Sequence, residues 1–395
     1  MKSYKTELDL NNHQRTDCLR HAGAARFAYN WGLRRKIDAY QAGHKVPSAI
    51  DLHRELNALK KTELPWLYET SKCAPQEALR NLDKAYQGFF RRCKNGAAKK
   101  GFPRFKSRKR GVGSFVLGGA IRATSGTIQL PRLGVLRLKE RGYFPTDKKI
   151  TSATVSERAG RWFVSIQTKE EPTRTIGTET LGVDVGIKSL AMLSDGTVFE
   201  NPRSLRESER KLKHLQRSVA GKVRGSSNRK KAVVRVARQH YRVSCVRRDA
   251  INKASNAITK RAKVVVVETL NVKGMLGNHC LAKALSDASI SELLRQIEYK
   301  MAWAGGTVIK ADRWFPSSKT CSACGAVKDG LSLSEREYVC ESCGVALDRD
   351  HNAAINLRNL AVRSTVSSHA CGGFGSQAQP VKQEPNTILG VVQNG

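Results

Sequence analysis

Apolar positions change period several times along this chain, and each change predicts an element. Residues 1–12 alternate through Tyr4-Lys-Thr-Glu-Leu-Asp-Leu and end in Asn-Asn, the pattern of a short strand. From His13 to about Gly43, Leu19, Ala22, Phe27, Tyr29, Trp31 and Leu33 follow helical spacing. Further helices are expected near Ser48–Leu59 and Ala74–Lys94, the latter with Pro75 early, where its missing N–H costs little. Over Gly111–Glu171 the period becomes two: Ser-Phe-Val-Leu, Thr-Ile-Gln-Leu, Gly-Val-Leu-Arg-Leu, then two longer runs around Arg158-Ala-Gly-Arg161. Short strands with glycine turns predict a small β-barrel, which the N-terminal strand could complete with the helical block as an insertion. Pro172 and the threonine-rich stretch to Thr180 read as a linker. A helical hairpin follows over Arg203–Ala262, broken at Gly221–Asn228. Then come an amphipathic helix over Ser286–Ala304, stopped by Gly305-Gly306, and a strand from Thr307.

Two strands and one helix in the second half carry acids. Leu181-Gly-Val-Asp184 reads as an apolar strand, followed by a second strand with a turn at Asp195-Gly196. Lys263-Val-Val-Val-Val-Glu268 is the β-branched run of a buried parallel strand. Asp350 sits in the first turn of a helix through Leu360. Each acid alone could be a solvated charge. Two strand-end acids and one helical acid together can supply the carboxylates that hold a pair of Mg²⁺ ions for phosphodiester hydrolysis. The expected fold class is α/β, with an RNase H-like nuclease core.

Cys321-Ser-Ala-Cys324 and Cys340-Glu-Ser-Cys343 enclose fifteen residues, the two-knuckle spacing of a zinc ribbon. Each knuckle is followed by a glycine, Gly325 or Gly344, that lets the backbone turn. Four thiolates close the coordination sphere, so the expected Zn²⁺ is structural. Two disulfides are the competing reading. The other six cysteines show no pairing pattern, and neither a signal peptide nor a membrane-length apolar run is evident, so a reducing cytosol and a metal are expected.

Charge then selects a partner. Seventy Lys and Arg against thirty-four acids leave +36 on 395 residues, which calls for a polyanion and not a membrane. Ten of the twenty residues from Arg91 to Arg110 are basic, interleaved with Phe102 and Phe105. Arg104, Lys106, Arg108, Lys109 and Arg110 are candidate phosphate contacts, and the aromatics suit packing or stacking. The preceding helices could form a helix-turn-helix reader or a plain bundle gripping a duplex by its backbone; the bundle suits their lengths better.

Gly182-Val-Asp-Val-Gly-Ile, Val267-Glu-Thr-Leu-Asn-Val-Lys-Gly-Met, Asp312-Arg-Trp-Phe-Pro-Ser-Ser-Lys-Thr-Cys-Ser-Ala-Cys-Gly and Asp348-Arg-Asp-His-Asn-Ala-Ala-Ile-Asn-Leu resemble the TnpB (OrfB-type) proteins of insertion sequences, which are similar to compact type V CRISPR effectors. The motifs cover 181–360 densely, and Gly101-Phe-Pro-Arg-Phe-Lys extends the likeness into the first half. The resemblance implies an RNA-guided DNA endonuclease with one RuvC-type site. Its guide RNA would derive from the transposon end and its target would be double-stranded DNA. Asp184, Glu268 and Asp350 fall on the catalytic acids and the four cysteines on the zinc ligands, with Asp184 expected to bridge two Mg²⁺ ions. Asp348 is expected to be structural or supporting. The implied domains are a β-barrel from 1–12 and 111–175, a helical recognition domain with basic linker over 13–110, a RuvC-like nuclease over 176–315 and 346–362, a zinc ribbon over 316–345, and a loose tail over 363–395. Two competing readings are a strand-joining DNA transposase on the same fold and a non-cleaving zinc-ribbon repressor. Retention of all three acids argues against the repressor.

Overall fold

The computed structural model describes residues 2–170, 176–332 and 335–370. The chain divides into two compact units, Met1–Thr173 with Arg203–Asp249, and Arg174–Pro202 with Ala250–Gly395. Residues 171–175 of the expected linker lie outside the described residues, as do 371–395 of the expected tail. Among the described residues, no helix is long and apolar enough to cross a membrane.

In the first unit, β1 (Lys2–Asp9) leads into α1 (Asn12–Gln41), α2 (Ala49–Thr62) and α3 (Cys73–Lys94). Both α1 and α2 start with reciprocal capping boxes, Asn11 with Gln14 and Ser48 with Asp51, which satisfy backbone N–H groups that the helix leaves unpaired. At Gly32 a Cβ would crowd the methyl ends of Leu79, Leu82 and Leu52, so glycine lets α1 pack closely on α2 and α3. Strands β2 (Ser114–Leu117), β3 (Arg122–Ala123), β4 (Thr127–Leu130), β5 (Gly134–Leu138), β6 (Ile150–Arg158) and β7 (Arg161–Thr168) join β1 in one antiparallel sheet. Its order is β2-β6-β7-β1-β5-β4-β3. β1 pairs with β7 from Lys2↔Thr168 to Leu8↔Trp162 and with β5 at Leu8↔Leu138. Residues 10–113 therefore leave this sheet and return to it. The ladder has edges at β2 and β3, so hydrogen bonds describe an open sheet and do not close the expected barrel. Alternation puts Ile128, Leu130, Leu136, Val155, Val164 and Ile166 into a core shared with Leu33, Leu52, Leu79 and Leu82 of the helices. The unit also holds α4 (Ser204–Ala220) and the part of α5 (Ser227–Arg261) up to Asp249.

The second unit is built on β8 (Glu179–Asp184), β9 (Ser189–Leu193), β10 (Val198–Glu200), β11 (Ala262–Glu268) and β12 (Thr307–Ala311). Their order is β10-β9-β8-β11-β12, with the first three antiparallel and β11 parallel to both neighbours. Val265, Val266 and Val267 are buried, as a parallel central strand requires. Helices α6 (Val272–Met275), α7 (His279–Ala288) and α8 (Ile290–Ala304) lie between β11 and β12. The single helix expected over 286–304 is thus two. Ser289 breaks it in the left-handed region, φ 54°, while Leu285, Ala288, Ile290 and Leu293 all enter one core and keep the apolar period running across the break. The hairpin β13 (Glu337–Val339) and β14 (Ala346–Asp348) precedes α9 (Arg349–Ala370), which also takes up 363–370 of the expected tail. A Cβ on Gly182 would run into the backbone of Ala354 and Arg358, so β8 and α9 meet main chain to main chain.

Candidate active site and metal centre

Asp184 ends β8 and Glu268 ends the adjacent β11. The pairing Val183↔Val267 sets them side by side in register, on the same face of the sheet. Asp350 lies in the first turn of α9, the helix that Gly182 admits onto β8. The three carboxylates feel one another. Burial first, then the charges of Glu268 and Asp350, pushes Asp184 up to about 8.

Asp348 is occupied differently. Its Oδ1 accepts from the backbone N–H of Asp350 at 2.9 Å and of His351 at 3.2 Å, and its Oδ2 stands 3.8 Å from Lys188 Nζ. That carboxylate caps α9 and holds Asp350 in place.

Three residues the sequence reading left without a role connect the acids to the cysteine segment. The buried Ser317 hydroxyl donates to Glu268 Oε1. Asn356 Nδ2 donates to Ser317 O at 2.8 Å and to Thr320 O at 2.6 Å. Asn352 Nδ2 donates to Thr320 O at 2.8 Å, and its Oδ1 accepts from Ser322 N–H at 2.9 Å. Both asparagines are buried, one helical turn apart on the helix that carries Asp350. Two amides at i and i+4 inside an otherwise apolar helical run are the signal that could have found them, because a buried amide needs partners. Asn356→Ala should leave the Ser317 carbonyl unsatisfied and Thr320 O with only its Asn352 donor, and cost roughly 1–3 kcal/mol. The expected result is a lower melting temperature and cleavage reduced about tenfold or more, with nucleic-acid affinity unchanged; wild-type melting and cleavage would contradict this role.

The four knuckle sulfurs lie within 4.8 Å of one another, while the three carboxylates do not form so tight a set. Cys321–Cys343 and Cys324–Cys340 are each 3.6 Å apart between sulfurs. Tetrahedral zinc–sulfur bonds of about 2.3 Å imply edges of roughly 3.8 Å, so the cage has the size zinc needs. Each knuckle repeats one turn. Gly325 N–H bonds Cys321 O at 3.0 Å and Gly344 N–H bonds Cys340 O at 2.9 Å, with both glycines at positive φ (82° and 74°). Backbone N–H groups of Cys343 and Ser342 pull the Cys340 thiol down to about 6. Cys343 accepts the Val345 N–H, yet its crowding against Cys324, Cys340 and Cys321 pushes it up to about 12. Such sharing of protons among sulfurs suits replacement by a dication.

The basic segment is less loose than its composition suggests. Arg92 holds Lys100 O and Gly101 O at 2.6 and 2.9 Å, and Phe102 packs edge-on against Tyr86 and Phe89. The Lys106 backbone exchanges two hydrogen bonds with the Asn30 side-chain amide, and its ammonium lies 3.9 Å from the centroid of the Tyr29 ring. Lys106 is exposed, as are Arg104, Arg108 and Lys109, but its ammonium is laid over that ring. The Arg110 side chain lies outside the described residues.

Residues 154–279 match a family described as "Probable transposase", residues 291–357 one described as "Cas12f1-like, TNB domain", and residues 1–45 one described as "Helix-turn-helix domain". In the last stretch the structure holds β1 and the unbroken α1. The "Putative RNA-guided DNA endonuclease" of Streptomyces pristinaespiralis is 36% identical across 97% of this chain and 96% of its own length. "Putative RNA-guided DNA endonuclease InsQ" of Escherichia coli (strain K12) is 31% identical across 98% of each chain. The solved "mini-RNA-guided endonuclease CRISPR-Cas_phi3" is 10% identical with a TM-score of 0.51, covering 91% of this chain and 92% of that one, a likeness of fold.

Proposed function

Because the chain belongs to the TnpB (OrfB-type) family of insertion-sequence proteins, we propose that it is an RNA-guided DNA endonuclease with a RuvC-type site at Asp184, Glu268 and Asp350. Identity along the whole length to relatives bearing that activity in their names carries this reading. The strand order β10-β9-β8-β11-β12, with two acids at neighbouring strand ends and a third on the helix across them, supports an RNase H-like core.

A carboxylate raised to about 8 by burial and then by two neighbouring acids is a site that gains by holding divalent cations, and Mg²⁺ is the hard, oxygen-seeking ion that fits it. When bound, such ions supply Lewis-acid activation of water and neutralise charge on the leaving 3′ oxygen. The chain's own part is positional. Asp184 and Glu268 offer oxygens from adjacent strand ends, Ser317 fixes the orientation of Glu268, and Asp348 fixes the turn bearing Asp350. The four cysteines would hold one structural Zn²⁺, and Asn352 and Asn356 tie that knuckle to α9.

The +36 charge is matched by a guide RNA from the transposon end and a double-stranded DNA target. Sequence reading is delegated to base pairing, with the protein gripping backbone and duplex shape. Arg104, Arg108, Lys109 and Arg110 are proposed backbone contacts; Lys106 supports them by packing on Tyr29. The test is to express the gene with its flanking DNA, purify the protein and sequence what comes with it. One defined RNA copied from the flank is expected. Protein that cuts or joins DNA with no such RNA would establish the strand-joining transposase instead.

A further inference from the structure

The α4–α5 hairpin brings together cations that its own unit leaves uncompensated. A cavity of about 510 Å³ between this hairpin and the β6–β7 turn is lined by Arg161, Lys211, Arg235, Arg238 and Arg242, with no acidic side chain in its wall. Arg161 pairs with Glu7 at 3.2 Å. Among the described residues, Lys211, Arg235, Arg238 and Arg242 form no ion pair, and all four are exposed. Nearby, Arg158 and Arg161 stand 5.5 and 5.8 Å from the centroid of the Tyr241 ring, which packs on Phe163, and Lys5 lies over Phe163. Burial, followed by repulsion from Arg248 and Arg158, holds the Lys5 ammonium below its ordinary value. Positive charge gathered at such a cost is relieved by an anion.

The cavity's other walls are not basic. Leu215 and the Tyr241 ring give it an apolar side, and Gln239 contributes an amide. Gln239 is only 8% exposed and, among the described residues, has no hydrogen-bond partner. Its amide is open to the cavity and not sealed in the core, so it can both donate to and accept from a ligand. A nucleobase does both, presents an aromatic face to an apolar wall and carries its phosphate a short reach away. The volume lies within the range of small-molecule pockets.

We propose that this cavity binds one unpaired nucleotide of a nucleic-acid strand. The phosphate lies on Arg235, Arg238 and Arg242, the base lies against Leu215 and Tyr241, and Gln239 hydrogen-bonds a base edge. Every residue of the site lies in the first unit, whereas Asp184, Glu268 and Asp350 lie in the second. The inference therefore stands whether or not the chain cuts DNA. RNA and DNA strands share the chemistry, and the test separates them.

Full-length protein, freed of nucleic acid with nuclease and high salt, is titrated with fluorescein-labelled single strands of uridine RNA and thymidine DNA. Arg238→Ala/Arg242→Ala should bind about tenfold more weakly and lower the log–log salt slope by about 0.7, the value for one phosphate on a single strand. Gln239→Glu, nearly isosteric, should weaken binding by a similar factor through its added negative charge, with the wild-type melting temperature retained. Strands carrying 5-iodouracil should photocrosslink to Tyr241, and the strand that does so more efficiently identifies the source. Wild-type affinity and salt slope in both variants, or crosslinks that avoid residues 235–245, would overturn the proposal.

Discussion

Asp184→Asn should abolish cleavage and at the same time make the metal-free protein more stable. The loss of activity, expected to exceed about a thousandfold, follows from removing one of the few oxygens that can hold a divalent cation. The gain in stability follows from the cost of this charge in the fold. The unfolded chain releases the Asp184 proton near 3.8, and the folded chain releases it only near 8, because burial and then Glu268 and Asp350 oppose ionisation. Between those values the folded state binds the extra proton, so stability of the metal-free protein falls as pH rises through the window and levels off above it. Asparagine removes that fall. In chelator at pH 8 the variant should melt about 5–10 °C above wild type, a difference on the order of 3 kcal/mol. Excess Mg²⁺ should reverse the order, since only wild type gains stability by binding it well. Melting curves with chelator and with Mg²⁺ test both halves. A variant that melts below wild type without metal would contradict the like-charge account of the site.

Cys340→Ser is expected to remove zinc and most cleavage together while sparing RNA binding. The purified wild-type protein should carry about one zinc per chain, and the serine variant well under half of that, because a four-thiolate cage that loses one ligand loses its closed geometry. The effect reaches the acids by a route visible in the fold. The first knuckle is fastened to α9 through Asn352 and Asn356, and Ser317, held by Asn356, orients Glu268. Cleavage should fall at least tenfold, with phosphate contacts in the basic segment unaffected. Elemental analysis finding no zinc in an active wild-type preparation would end this assignment.

Local pattern made much of this legible. The valine run before Glu268 is a buried parallel strand because both faces are covered, and the hairpin of α4 and α5 breaks where glycine and serine interrupt two basic helical stretches. The convergence of four cysteines follows from two knuckles of fixed spacing. What stayed hidden depends on partners far away in the chain. Helical spacing marks Asn352 and Asn356 as amides in need of partners, but those partners, and the role of Ser317, appear only when α9 meets the segment before the knuckles. Ser289 was invisible for the opposite reason, since the apolar stripe continues through the break. Lys106 looked like one more free cation until Tyr29 of α1 lay beneath it. The central place of β1 in its sheet, between β7 and β5, is likewise a property of tertiary pairing.

The most direct measurement exchanges the guide. Protein reconstituted with an RNA whose guide segment is rewritten should cut duplex DNA matching the new segment, set in the same flanking DNA as the old target, and leave the old target intact. Removing the RNA should abolish sequence-defined cutting, and Asp184→Asn should remove it in every reconstitution. Cleavage that stays at the original sequence after the exchange, or survives removal of the RNA, would contradict the RNA-guided account.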